Sequence, residues 1–234
     1  NYQVFDTENN TQKVSQIIRS NRLTEKDALI GPLYQKNLEQ AADDIKGSNT
    51  LLFSPLSNRE FSLRGNCVQT IPTPELLEEG MLAFIKAHHT QQNILILADR
   101  KLKTKAEAVQ KTLASGIVIT ADTTGLIKPD FIKSALDFQN ENWVLLMSEN
   151  LNLISTVVPR LNTYLKDYKI TLITTDRNRI FEGDEVQSTH LANLNFHFPS
   201  VDRPFQSDAD NLFVKKYREK NFVSPGKFAF RGFE

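Results

Sequence analysis

The chain has 234 residues, enough for one large domain or two smaller lobes, and its 28 Lys and Arg balance its 28 Asp and Glu. No overall basic field steers it to nucleic acid, so nucleic acid is excluded as an expected partner. The single cysteine, Cys67, excludes an intramolecular disulfide and a cysteine-based metal cluster, and no apolar run reaches the roughly 20 residues that span a bilayer.

In chain order, YQVFD (2–6) reads as a strand and TQKVSQIIRSN (11–21) as a helix with Val14, Ile17 and Ile18 on one face. ALIGPLY is a strand running into a turn, 34–45 a helix, TLLFSP a buried strand and CVQTIP a short strand closed by prolines. PTPELLEEGMLAFIKAH carries Pro74 at a helix start, acidic residues in its first turns and apolar residues at helical spacing. NILILAD, IVITAD, WVLLMSE and KITLITTD then read as strands. They are separated by helices in KTKAEAVQKTLASG, ended by Gly116, in KPDFIKSALDFQ, and over 151–168. Strands alternating with helices of ten or more residues predict parallel sheets covered on both faces, an α/β fold. From Arg177 the rhythm changes: FEGDEV is loop-like, LNFHF strand-like, and DADNLFVKKYREKN an amphipathic helix.

Ligands of open parallel sheets bind beyond the carboxyl ends of the strands, where helix N-termini offer unpaired N–H groups. The segments to search are therefore 31–35, 54–58, 98–100, 121–123, 148–150 and 175–177. The same Ser, Thr, Asp and Asn residues are also ordinary N-caps. Catalytic patterns are weak. Ser54 lacks the G-x-S-x-G elbow, and neither GxxxxGK[ST] nor GxGxxG occurs. His88 and His89 fall at a helix C-terminus, where a cation is favourable, and His190 and His197 have no acidic or cysteine partner at metal-site spacing. No catalytic residue, metal or cofactor is expected. Asp99, Arg100, Glu149, Asp176 and Arg177 form an acid–base set only if their strands converge.

The ordered set DALIGPLY, TLLFSPLS, CVQTIPTPELLEEGMLAFI and NILILADR resembles the type I periplasmic-binding-protein superfamily, best known from branched-chain amino-acid receptors. The order continues with strands near Trp143 and Ile170, the return LNFHFPSV and the ending FVKKYREKNFVSPGKFAFRGFE, and covers nearly the whole chain. The resemblance extends to bacterial envelope lipoproteins of this fold, some joined to LysM modules. It implies two Rossmann-like lobes with parallel sheets flanked by helices: residues 1–73 with 198–234, and residues 74–197. It also implies a ligand held between the lobes. Carried over, the ligand-binding positions are Tyr34, Gln35, Ser54, Leu56, Ser57 and Asn58 from the first lobe and Asp99, Arg100, Ser148, Glu149 and Asp176 from the second.

The family opens with a further strand and helix ahead of YQVFD and continues beyond RGFE. A processed or trimmed piece with an incomplete first lobe is therefore expected, its upstream signal or lipid anchor removed. ADRK stands at the strand end where the receptors carry an acidic-aromatic signature, a departure from the amino-acid receptors' pattern. The implied function is a non-enzymatic solute-binding or sensory module, periplasmic or anchored to the outer membrane, that closes on a small polar ligand, an amino acid or peptide-like molecule, and works with a membrane transporter. The alternative is an envelope scaffold or regulator lipoprotein that binds a protein of peptidoglycan synthesis. Tyr34, Arg59, Arg100 and Arg177 either fill the cleft, as in a scaffold, or bind an anion, as in a receptor.

Overall fold

The structure, a computed structural model, describes residues 2–59, 64–176, 178–201 and 208–223. The chain forms two compact units, Asn1–Pro199 and Ser200–Glu234.

The first unit begins with helix α1 (Thr11–Ser20), strand β1 (Ala28–Ile30), helix α2 (Gln35–Asp44) and strands β2 (Leu51–Ser54) and β3 (Cys67–Gln69). The Asn10 side chain accepts the N–H groups of Gln12 and Lys13 at 2.8 and 3.2 Å and so starts α1. Val14 and Ile18, one turn apart, then bury against Leu38, Ala41, Ala42 and Ile45 of the α2 region. The three strands form a parallel sheet in the order β1-β2-β3, with Leu29, Leu52 and Cys67 in one row. That row faces the helices. The next row, Ile30, Phe53 and Val68, points the other way, and Ile30 is 78% exposed.

The chain then alternates through α3 (Pro74–His88), β4 (Asn93–Ala98), α4 (Lys103–Leu113), β5 (Ile117–Thr120), α5 (Pro129–Ala135), β6 (Asn142–Met147), α6 (Leu151–Tyr164), β7 (Ile170–Ile173) and α7 (Ser188–Asn193). Thr73 caps α3 through the Leu76 N–H at 3.3 Å, Pro74 opens it, and Lys86 and His88 close it in the last turn, where cations oppose the dipole. The strands form a parallel four-stranded sheet, β5-β4-β6-β7. Its side chains alternate between two cores. Leu95, Leu97, Val144, Leu146 and Leu172 pack with Ile154, Val157, Val158 and Leu161 of α6. Ile94, Ile96, Trp143, Leu145 and Ile173 pack with Met81 and Ile85 of α3 and Val109 of α4. Burial on both faces explains the unbroken apolar runs of β4 and β6. The second unit contains helix α8 (Asp208–Asn221).

Three expectations are corrected. Residues 2–6 join no strand, with Tyr2 and Val4 almost fully exposed and Phe5 packed on the first core. A β-pattern becomes a strand only where its backbone finds a ladder. The LNFHF segment contributes a single parallel bridge, Ile173 to His197, because Leu194 closes α7 and Asn195 takes a left-handed conformation at φ 47°. Helix α4 ends on left-handed Ala114, not on Gly116.

Candidate functional site

The order β5-β4-β6-β7 places β5 on one side of β4 and β6 and β7 on the other, so the loops leaving β4 and β6 diverge at the carboxyl edge of the sheet. Asp99 and Ser148 stand there, both buried. One carboxylate oxygen of Asp99 accepts the N–H groups of Lys101 and Leu102 at 3.0 and 3.1 Å. Its other oxygen accepts the Ser148 hydroxyl at 3.3 Å and the Glu149 N–H at 3.1 Å. Ser148 Oγ also accepts the Asn150 N–H at 3.0 Å, and its carbonyl accepts from Asn178 Nδ2 at 2.7 Å. Asp99 and Ser148 therefore tie the two loops to each other, and their polar capacity is directed inward.

What this edge turns outward is a charged group. Glu149 and Arg100 are exposed. Burial pushes the Asp176 carboxyl above the ordinary aspartate range; Lys105 opposes that, while Glu149 and Glu78 add to it. Glu78 and Lys105 form an ion pair. The carbonyl of Asp176 accepts from the Thr174 hydroxyl at 3.0 Å, which holds the turn after β7. The loop after β5 is organised by Asp122, which accepts from the backbone and hydroxyl of Thr124 at 2.8 and 2.5 Å and has a lowered pKa for that reason.

At the carboxyl edge of the first sheet, the Gly31 N–H donates to the Phe53 carbonyl at 2.8 Å and extends the ladder one residue past β1. Gly31 has φ +80° and the Gly31–Pro32 bond is cis; beyond them Leu33 is 58% and Tyr34 61% exposed. Gln35 Nε2 donates to Glu39 at 3.1 Å. Ser54 is buried, and its carbonyl takes both the N–H and the hydroxyl of Thr70, at 3.1 and 3.0 Å. Leu56 is 55% exposed, Ser57 Oγ accepts the Arg59 N–H at 3.2 Å, and Asn58 and Arg59 are exposed. Arg177 lies outside the described residues.

The expected site residues thus fall into two groups, Tyr34, Gln35, Ser54, Leu56, Ser57 and Asn58 on the first sheet, and Asp99, Arg100, Ser148, Glu149 and Asp176 on the second. Sequence reasoning missed Gln69, whose Nε2 donates to the Ser57 carbonyl at 3.0 Å, and the Glu78–Lys105 pair beside Asp176. A polar residue ending β3 was a signal for the first. The second joins α3 to α4 across the intervening strand and left none. The histidines of α3 bond locally, His88 Nδ1 to the Phe84 carbonyl and His89 Nε2 to that of Gln92. Among the described residues no group of three or more His, Cys, Asp or Glu is placed to hold a metal, and no helix is long and apolar enough to cross a membrane.

No family model matches the chain, and no curated protein matches it. Solved structures do. The chain is similar to LpoA from Haemophilus influenzae, with 14% identity over 95% of this chain, 40% of that chain and a TM-score of 0.50. It also matches the LpoA C-domain from Haemophilus influenzae, described as a regulator of PBP1A, with 13% identity, 92% of this chain, 68% of that chain and a TM-score of 0.48. A third match is an ABC-type branched-chain amino acid transporter protein from Rhodopseudomonas palustris, with 12% identity, 96% of this chain, 63% of that chain and a TM-score of 0.49. The chain spans less than half the length of the full LpoA structure. The likeness is one of fold, an α/β arrangement of parallel sheets with helices packed on them.

Proposed function

We propose that this chain is a non-enzymatic binding module of the bacterial envelope that docks a protein partner of peptidoglycan synthesis along the carboxyl edges of its strands. One observation carries this reading: Leu33, Tyr34 and Leu56 are more than half exposed at the carboxyl edge of the first sheet. Exposed apolar and aromatic groups rimmed by polar ones suit a macromolecular contact better than the enclosure of a small polar solute. Ser57 and Asn58 supply polar groups on the same loop as Leu56, while Asp99 and Ser148 brace the edge of the second sheet, where Arg100 and Glu149 are exposed.

A second reading keeps the small polar ligand, an amino acid or peptide, closed between lobes 1–73 with 198–234 and 74–197, in a receptor that serves a transporter. It is supported by the charged group of Glu149, Asp176, Lys105 and Glu78 beside the point where the loops after β4 and β6 diverge. The two readings separate in one experiment. The triple variant Leu33→Ser, Tyr34→Ser, Leu56→Ser is expected to weaken binding to a purified penicillin-binding protein by at least about tenfold, with its melting temperature little changed. Amino acids and small peptides are expected to leave the melting curve unmoved. A midpoint shift of several degrees with such a solute, abolished by Ser57→Ala with Asn58→Ala, would instead establish the receptor reading.

A further inference from the structure

The outer surface of the first core carries a groove that the proposed function does not use. It lies between α1 and α2, is open to solvent with a volume of about 450 Å³, and is lined by Thr11, Gln12, Ser15, Gln16, Arg19 and Ser20 from α1 and Gln40 from α2. That volume lies within the range of small-ligand sites. The named wall residues all carry polar groups, set on apolar stems that share the surface of the groove.

Beneath the wall sits Asp44, whose side chain is only 10% exposed. It accepts the Ser15 hydroxyl and Gln40 Nε2, the latter at 3.2 Å, and lies 3.9 Å from the Arg19 guanidinium. One buried carboxylate thus orients two wall groups, Ser15 and Gln40, which lowers the entropy lost when a ligand binds. It also stands beside the Arg19 guanidinium, so an anion bound there would face a carboxylate. What the wall offers is a mixture of donors and acceptors from amides, hydroxyls and a guanidinium. A sugar hydroxyl, which both donates and accepts, matches that mixture.

We propose that the groove between α1 and α2 binds a neutral polyhydroxylated ligand, a saccharide, through Gln12, Gln16, Arg19 and Gln40. The wall residues named here include no aromatic ring for stacking, so affinity is expected in the millimolar range, about 1 mM or weaker. The test is a titration of the isotopically labelled chain with glucose, maltose and trehalose, and separately with sodium phosphate, read by amide chemical shifts. Saturable shifts confined to residues 11–20 and 40 are expected with at least one saccharide, weakened at least about fivefold in Gln16→Ala with Arg19→Ala. Both substitutions fall on exposed positions, so the variant should fold. The proposal is overturned by the absence of saturation with all three sugars, by equal shifts in the variant, or by phosphate as the sole saturating probe.

Discussion

Asp176, in the turn after β7, is the residue whose environment departs most informatively from that of a surface carboxylate. Burial raises its pKa, and Lys105 offsets only part of that effect. The folded protein therefore holds the proton more tightly than the unfolded chain. The resulting stabilisation is complete below about pH 3.9, the unfolded value, and is lost as pH rises through the raised folded value. Asp176→Asn removes this dependence, so its melting temperature should gain on the wild type between about pH 4 and neutrality. Parallel pH profiles for the two proteins would show that Asp176 carries no such linkage. Asp137 has the opposite sign, since the Asn140 side chain and the N–H groups of Gln139 and Asn140 lower its pKa. It is unchanged by the substitution and cancels from the comparison.

Among the elements, the junction of α4 and β5 shows how closely backbone and core meet. Gly116 has φ +107°, and a Cβ there would stand 3.0 Å from Ile94 Cγ2 and 3.2 Å from the Ile94 carbonyl. Ile94 belongs to β4 and is buried in the core under α3 and α4. Gly116→Ala thus meets both a conformational and a packing penalty, and is expected to lower stability by about 1–3 kcal/mol in chemical denaturation. A change below about 0.5 kcal/mol would mean that the turn relaxes freely. The elements themselves were largely legible. Alternating burial on two covered faces leaves continuous apolar runs such as NILILA and NWVLLM, and capping residues such as Asn10, Thr73 and Asn150 mark helix starts locally. The failures came where a partner decides: residues 2–6 have the pattern of a strand without a ladder.

For the whole molecule, the two sheets differ in how fully their faces are covered by the described residues. The β4–β7 sheet has a core on each side, whereas the first sheet packs α1 and α2 on one face and exposes Ile30, Leu51 and Val68 on the other. The lobe boundary near residue 74 is our proposal, and it predicts that a fragment of residues 72–199 folds alone, with a single cooperative unfolding transition and an ordered Trp143 signal in near-ultraviolet circular dichroism. A molten fragment would place the boundary elsewhere. By itself the sequence determined the α/β class and most of the order of strands and helices, because side-chain periodicity and capping are local properties. Only the tertiary structure decided that Asp99 and Ser148 spend their hydrogen bonds on the loops rather than outward, that Lys105 and Glu78 stand beside Asp176, and that Leu33, Tyr34 and Leu56 face solvent. Those outcomes depend on which strands are neighbours in the sheet and on how each loop is held, and residues brought together across 49 or more positions, as Ser148 is to Asp99, carry no local trace of it.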